Sequence, residues 1–223
     1  MKFKGIILAG GKGTRLNPLT KSVNKHLLPI YNKPLIFYPL SILMLANIKE
    51  ILIIVNKEDY DSYKKLLGNG SRMGIKITYK IQEKPNGIPE AFTIGKDFIQ
   101  NSNVALILGD NFFYSQGLTE TLIQSQKNFN GAKIFCYKVK NPNEFGIAEI
   151  KNKKIISLKE KPNYSKSNLA ISGLYFFDKH VSRLALNLKK SKRKETEIID
   201  LIKSYLKTNK LKYHLLGRGA AWL

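Results

Sequence analysis

A glycine-rich loop directly behind a short apolar run, near the start of the chain, is the feature that most constrains the fold. The apolar run covers residues 5–8, and such a run bounded by glycines predicts a buried parallel strand that leads into a loop. Lys12 and Arg15 give the loop positive charge. Three glycines let backbone N–H groups converge on an anion, because they carry no Cβ: Gly10, Gly11 and Gly13. The loop therefore predicts a polyphosphate-binding site.

Two familiar phosphate-binding motifs are excluded by their spacing. A P-loop needs a glycine where Ile6 stands and a serine or threonine where Gly13 stands. A dinucleotide-binding fingerprint that begins at Gly11 needs a glycine where Leu16 stands. The loop thus belongs to a different class of phosphate site.

Strand and helix patterns alternate through the first two thirds of the chain and predict an α/β fold with a mainly parallel central sheet and helices on both faces. In this part, strands are expected at 4–9, 50–55, 75–81, 104–109 and 132–139, with helices near 35–47, 59–68, 89–99 and 117–129. Later elements are expected as strands at 146–150, 154–158, 171–177 and 212–216 and helices near 180–188 and 195–207. Because no repeat or flexible linker interrupts the pattern, we expect one domain over residues 1–223.

The composition restricts location and partners. A net charge of +22 is typical of many nucleic-acid-binding proteins, but the lysines are spread along the chain. Only residues 189–194 form a basic run, which we interpret as a solvated face, so no nucleic-acid partner is expected. The single cysteine, Cys136, cannot form an intrachain disulfide, and no apolar stretch is long enough to span a bilayer. We expect a cytoplasmic protein without membrane contact.

Polar residues that directly follow predicted strands are the first candidates for a site, because ligands bind beyond the carboxyl ends of parallel strands. Asp110 follows the strand at 104–109 and suits either a Mg²⁺ ligand or a turn cap. Gln82 follows the strand at 75–81, and its amide matches the Watson–Crick edge of thymine or uracil. Gly87 allows close backbone approach there, although Pro-Asn-Gly is also typical of a solvated turn.

Four motifs, in chain order, resemble those of the sugar-phosphate nucleotidyltransferases: GGKGTRL at 10–16, KHLLP at 25–29, LGDNFFY at 108–114 and EKP at 160–162. The resemblance extends over residues 4–223 and is strongest to the enzymes that act on glucose 1-phosphate and dTTP. It implies a Rossmann-like nucleotidyltransferase fold, Mg²⁺ as cofactor, dTDP-glucose and pyrophosphate as products, and possible homo-oligomers. It also implies a nucleotide-binding half up to about residue 140 and a sugar-binding half after it.

The resemblance assigns roles to individual residues. The implied catalytic residues are Arg15, Lys25 and Asp110, and Asp110 is also the implied metal ligand. The implied nucleotide-binding residues are Leu8, Gly10, Gly11, Gly13, Thr14, Arg15, Gln82, Pro85, Gly87 and Asp110. The implied sugar-phosphate-binding residues are Lys25, Phe145, Gly146, Glu160, Lys161 and Gly173.

Two departures from the family pattern leave alternatives open. Phe145 stands where thymidylyltransferases of this type usually carry tyrosine, so the hydrogen bond of that hydroxyl to the sugar is not expected. The sequence stops at Leu223, one residue before the aspartate that supplies a second magnesium ligand in the family, and we expect an incomplete form that binds dTTP but turns over poorly. The alternatives are a UTP-dependent uridylyltransferase, a catalytically weak nucleotide-sugar-binding protein and a nucleic-acid-binding protein.

Overall fold

The computed structural model describes residues 2–11, 13–191 and 193–223, and only the backbone of Arg15. The strands are β1 (Phe3–Ala9), β2 (Pro29–Ile30), β3 (Lys33–Pro34), β4 (Glu50–Val55), β5 (Lys76–Ile81), β6 (Asn103–Leu108), β7 (Phe113–Tyr114), β8 (Ala132–Lys138), β9 (Gly146–Lys151), β10 (Lys154–Glu160), β11 (Leu169–Phe177), β12 (Leu211–Leu215) and β13 (Ala221–Trp222). The α-helices are α1 (Phe37–Leu45), α2 (Tyr60–Leu67), α3 (Glu90–Ile94), α4 (Lys96–Ile99), α5 (Leu118–Gln124), α6 (Val181–Leu186) and α7 (Ile198–Lys207).

The strands form one large central sheet of nine strands and two small two-stranded sheets. The central path runs β10-β9-β11-β6-β1-β4-β5, with β8 beside β11 and β12 beside β8. Strands β6, β1, β4 and β5 are parallel to their neighbours within this group, and β12 is parallel to β8. The antiparallel pairs involve β11 or the β9–β10 hairpin. The predicted α/β fold with a mainly parallel central sheet is confirmed.

Helices cover both faces of the sheet because successive residues of the buried strands point to opposite sides. In β1, Ile7 packs in a core with side chains of α1, α2 and α5, whereas Ile6 packs in a second core with those of α3, α4, α6 and α7. Both residues are fully buried. Burial of one such side chain stabilises the fold by about 1.5–3 kcal/mol, so two cores fix the helices on both faces.

Several elements differ from the prediction. The helix expected at 89–99 is divided at Gly95 into α3 and α4, and the helix expected at 117–129 ends at Gln124. The small sheets β2–β3 and β7–β13 were not predicted. Each of their strands has two residues, too few to show a periodic pattern. Among the helices that the structure describes, all are too short or too polar to cross a lipid bilayer.

Candidate active site

The carboxyl ends of the parallel strands bring the predicted loops to one edge of the sheet. Leu8 of β1 pairs in register with Leu108 of β6. Beyond the strands, the Gly109 N–H donates to the Leu8 carbonyl at 2.9 Å and the Gln82 N–H donates to the Val55 carbonyl at 2.8 Å. The glycine loop and the residues after β5 and β6 therefore share this edge.

Two cavities at this edge contain most of the predicted nucleotide-binding residues. A cavity of about 210 Å³ is lined by Leu8, Gly11, Lys25, Gln82, Pro85, Gly87 and Asp110, together with other side chains. A cavity of about 470 Å³ is lined by Gly13, Thr14, Lys25 and Asp110, among others. Lys25 and Asp110 belong to both cavities and mark their junction. The side chain of Arg15, predicted to be catalytic, and the whole of Lys12 lie outside the described residues.

Lys25 and Asp110 form an ion pair at this junction. Burial raises the pKa of the Asp110 carboxyl, but the charge and hydrogen bond of Lys25 outweigh burial and leave that pKa below its usual value. Burial, assisted by the charge of Lys25, lowers the pKa of neighbouring His26 to about 3. At neutral pH the junction thus carries one cation and one carboxylate next to a neutral imidazole.

Gln82 is held in one orientation by a carboxylate that no sequence pattern indicated. Its amide Nε2 donates to Glu90 Oε2 at 2.6 Å, and Glu90 also accepts from Asn86 Nδ2 at 2.8 Å. A Cβ at Gly10 would lie 2.4 Å from Gln82 Oε1, so any other residue at this position would displace the amide. Gln82 is 5% exposed and lines the smaller cavity.

Gly87 is required by backbone packing as well as by access to the cavity. Its φ of +105° disfavours other residues, and a Cβ there would lie 2.0 Å from the Thr196 carbonyl oxygen. The Thr196 N–H donates to the Asn86 carbonyl at 2.8 Å. The segment at 195–197 therefore lies against the loop after β5, and Glu195 lines the smaller cavity.

Four of the predicted sugar-phosphate-binding residues lie together at the β9–β10 hairpin. Gly146 pairs with Glu160 across the hairpin. The Lys161 N–H donates to the Phe145 carbonyl at 3.0 Å. The Lys161 side chain is exposed and forms no ion pair within the part of the chain that the structure describes.

Asn111 connects these residues to Asp110. Its Oδ1 accepts from the Gly173 N–H at 3.0 Å and from Trp222 Nε1 at 2.6 Å. Its Nδ2 donates to Asp110 Oδ1 at 3.1 Å. The Phe145 and Trp222 rings are in contact, with centroids 5.3 Å apart. Asn111 thus connects Gly173 directly, and Phe145 through Trp222, to Asp110 of the Lys25–Asp110 ion pair.

Arg193 is a further cation beside the sugar-side residues. Its Nη2 lies 3.1 Å from Glu160 Oε1 and 2.7 Å from Glu197 Oε2. The hydrogen bond to Glu197 raises the pKa of the Arg193 guanidinium. Arg193 is exposed, as expected of a solvated face, and it also pairs with two carboxylates from outside the basic run at 189–194. Lys192, in the same run, lies outside the described residues.

The described residues contain no cluster of three or more His, Cys, Asp or Glu side chains suited to a metal ion. Asp110 supplies one carboxylate at the junction of the cavities, with 36% of its side chain exposed. Mg²⁺ is usually held by one or two carboxylates together with phosphate oxygens and water. This donor set fits an ion that arrives with a phosphate-bearing substrate.

The fold and the loops at its carboxyl edge are those of a nucleotidyl transferase. The family model described as Nucleotidyl transferase matches residues 4–223, and the chain belongs to this family. This confirms the predicted enzyme class.

Curated relatives share a more specific name. A glucose-1-phosphate thymidylyltransferase of Neisseria meningitidis is 52% identical over 222 residues, which cover 99% of this chain and 77% of the relative. A protein of the same name from Mycolicibacterium smegmatis is 48% identical, with the same coverage. A solved structure from Bacillus anthracis, described as a glucose-1-phosphate thymidylyltransferase in complex with sucrose, superimposes with a TM-score of 0.90 at 39% identity and covers 99% of this chain and 88% of that one. The predicted resemblance to thymidylyltransferases is confirmed.

Proposed function

We propose that this chain transfers a thymidylyl group from dTTP to glucose 1-phosphate, giving dTDP-glucose and pyrophosphate. The names of relatives at 48% and 52% identity support this substrate pair. The structural observation that carries the proposal is the ion pair of Lys25 and Asp110 at the junction of the two cavities. A reaction that joins two phosphate groups needs positive charge at the reacting phosphates, and Lys25 supplies a cation at the junction.

The chemistry is a displacement at the α-phosphorus of dTTP. An oxygen of the sugar phosphate forms a bond to this phosphorus, and the bond to the bridging oxygen of the leaving pyrophosphate breaks. The attacking oxygen is already anionic at neutral pH, so no general base is needed. The protein contributes positioning and electrostatic stabilisation.

We assign nucleotide roles according to the two cavities. Gln82 reads the pyrimidine edge with its buried amide, and Gly87 and Pro85 line the same cavity. The backbone of the glycine loop, including Gly13 and Thr14, holds the phosphates in the other cavity. Arg15 is predicted to stabilise the leaving pyrophosphate. Lys25 neutralises the reacting phosphates.

The sugar phosphate is assigned to the residues around the β9–β10 hairpin. Glu160 accepts sugar hydroxyls, Lys161 binds the phosphate, and Phe145, Gly146 and Gly173 shape the pocket. These assignments are supported by the proximity of Phe145, Gly146, Glu160 and Lys161 and by the link through Asn111 to Asp110. One domain, with its nucleotide-binding half before about residue 140, accommodates both substrates. A homo-oligomer stays a prediction, which light scattering checks.

We further propose Mg²⁺ as the divalent ion, with Asp110 as its protein ligand. The ion would supply positive charge to the phosphates during transfer. Asp110 would hold it on the side where the two cavities meet, and the substrate phosphates would provide further oxygens.

Pyrophosphate release from dTTP, UTP, dCTP and ATP, each with glucose 1-phosphate, tests the proposal. We expect dTTP to give the highest kcat/KM and Asp110→Asn to lower kcat by at least about 100-fold, because charge stabilisation is lost. Asp97→Asn is the matched control, since its carboxylate is exposed and its ion pair with Lys80 is long, at 3.6 Å. No pyrophosphate above background with dTTP would contradict the proposal.

A preference for UTP would instead favour the uridylyltransferase alternative. This alternative has less support, because a UDP-glucose pyrophosphorylase structure complexed with UDP-glucose is only 26% identical, with a TM-score of 0.78 and coverage of 93% of this chain and 88% of that one.

A further inference from the structure

Lys25 stands in a single 3₁₀ turn, Lys25–Leu27, that is fixed by buried side chains. Asn24, just before the turn, is 8% exposed, and His26 within it is 2% exposed. A buried polar group without a partner costs about 1–3 kcal/mol, so the hydrogen bonds of these two side chains restrict the turn strongly.

Asn24 is the centre of a buried hydrogen-bond network. Its Oδ1 accepts from the His26 backbone N–H at 3.0 Å, from His26 Nδ1 at 2.7 Å and from the Tyr63 hydroxyl at 3.1 Å. Its Nδ2 donates to Asp59 Oδ2 at 2.6 Å. The same Asp59 oxygen accepts from Asn56 Nδ2 at 3.2 Å. Because the Asp59 carboxylate can only accept, it fixes which end of the Asn24 amide faces His26.

This network also fixes His26. Asn24 Oδ1 can only accept, so Nδ1 of the neutral imidazole carries the proton. The other side of the ring lies against Gly109, where a Cβ would be 2.9 Å from His26 Cδ2 and 3.1 Å from Nε2. The His26 carbonyl accepts from the Ile36 N–H at 2.8 Å, which holds the backbone of the turn. The ring therefore fills the space between the Lys25 turn and the residue before Asp110.

We propose that His26, held by Asn24, is a positioning residue that fixes the Lys25 turn against Gly109 and so keeps Lys25 and Asp110 in contact. The catalytic consequence of this contact rests on the proposed function, whereas the contact itself does not depend on the substrate. A displacement of about 1 Å at a reacting group can lower a rate about 100-fold. Loss of the contact between the His26 ring and Gly109 is therefore expected to lower kcat strongly and to change the KM for dTTP only slightly.

Three variants separate positioning from general stability. His26→Leu introduces an apolar side chain of similar size and removes the Nδ1 donor. His26→Asn returns an amide N–H at the same number of bonds from Cα as Nδ1. Tyr63→Phe is the matched control, because it removes a different donor from the same Asn24 oxygen without touching the Lys25 turn.

The measurements are kcat, KM for dTTP, Tm and hydrogen exchange of the amides at 25–28. We expect His26→Leu to lower kcat at least about tenfold, with KM for dTTP changed less than about threefold, because positioning acts on the reacting geometry. We expect His26→Asn to recover kcat to within about threefold of wild type, since the donor is restored. Amide hydrogen exchange of residues 25–28 should become faster in His26→Leu and stay as in wild type in His26→Asn and Tyr63→Phe. Tyr63→Phe should lower Tm but keep kcat within about twofold, because its lost bond lies off the turn.

Wild-type kcat in His26→Leu, or equal losses in the Leu and Asn variants, overturns the proposal. A Tyr63→Phe variant that loses as much activity as His26→Leu also overturns it. If His26→Leu does not fold, Asn24→Ala takes its place, and failure of both to fold assigns the network to stability and overturns positioning. If the wild-type enzyme shows no turnover, the proposed function is contradicted instead. Amide hydrogen exchange of residues 25–28 then tests the positioning role, which requires faster exchange in His26→Leu than in wild type.

Discussion

The two sides of the site are built differently. On the nucleotide side, Gln82 and His26 are 5% and 2% exposed, and each is held by a hydrogen bond to another side chain. On the sugar side, Glu160 and Arg193 form an ion pair with 27% and 47% of their side chains exposed, and Lys161 is exposed. Buried, hydrogen-bonded side chains therefore form the nucleotide side, whereas exposed charged side chains form the sugar side.

This difference predicts how much side chains on each side contribute to lowering the reaction barrier and to substrate binding. Loss of one preorganised donor in a dry site costs about 2.7–4 kcal/mol of the reaction barrier. An exposed ion pair contributes about 0.2–1 kcal/mol. Changes on the nucleotide side should therefore lower kcat or alter base choice strongly, whereas changes at the sugar pocket should mainly alter KM for the sugar phosphate.

The largest effect is expected at the junction of the cavities. Lys25→Met removes the cation beside Asp110 and should lower kcat by at least about 100-fold, because charge on the reacting phosphates is no longer neutralised. Steady-state pyrophosphate release measures it. Lys203→Met is the control, since Lys203 forms an exposed ion pair with Asp200 at 3.2 Å. A Lys25→Met enzyme within about threefold of wild-type kcat would remove the junction from the mechanism.

Arg15→Ala should give the next largest effect. Charge builds on the leaving pyrophosphate, so we expect kcat to fall at least about tenfold while the Tm is retained. Arg72→Ala, at an exposed arginine of a surface turn, is the comparison. Unchanged kcat in Arg15→Ala would exclude this residue from catalysis.

Gln82→Ala should alter base choice. The variant keeps the cavity but loses the amide that Glu90 orients, so KM for dTTP should rise about tenfold and the preference for pyrimidine over purine triphosphates should narrow. Competition assays with dTTP and dATP measure this preference. Gln126→Ala is the control, because its amide donates to the Ala46 carbonyl at 2.7 Å outside both cavities. An untouched pyrimidine preference would place base recognition in the backbone near Gly87.

The smallest effect is expected on the sugar side. Phe145→Tyr adds a hydroxyl to a ring that packs on Trp222, and a new hydrogen bond to the sugar contributes about 0.5–1.5 kcal/mol. KM for glucose 1-phosphate should fall about twofold to tenfold, with KM for dTTP unchanged as the internal control. A raised KM for glucose 1-phosphate would show that the ring position does not face the sugar.

The sequence predicted the strands of the parallel core closely. The expected strands at 50–55 and 104–109 compare with Glu50–Val55 and Asn103–Leu108. Strands buried on both faces are continuous apolar runs, which are visible without any partner. The hairpin of β2 and β3 was missed because two residues per strand, none of them buried, give no such run.

The candidate site was predictable where residues follow a strand and not where contacts join distant segments. Asp110 and Gln82 follow apolar runs, so parallel topology places them at one edge. Asn111 and Trp222 are 111 positions apart, and Arg193 and Glu160 are 33 apart. No local sequence pattern predicts such pairs, because they depend on how β11 and the helices after it bring distant segments to the carboxyl edge of the sheet.

Hydrogen exchange of the protein with dTTP alone, and then with dTTP and glucose 1-phosphate, tests most directly whether the two sides bind different substrates. We predict that dTTP alone slows exchange in residues 10–16 and 82–88 and leaves 145–161 unchanged. Glucose 1-phosphate should then slow exchange in 145–161. Protection of 145–161 by dTTP alone, without protection of 82–88, would contradict the assignment of the two sides.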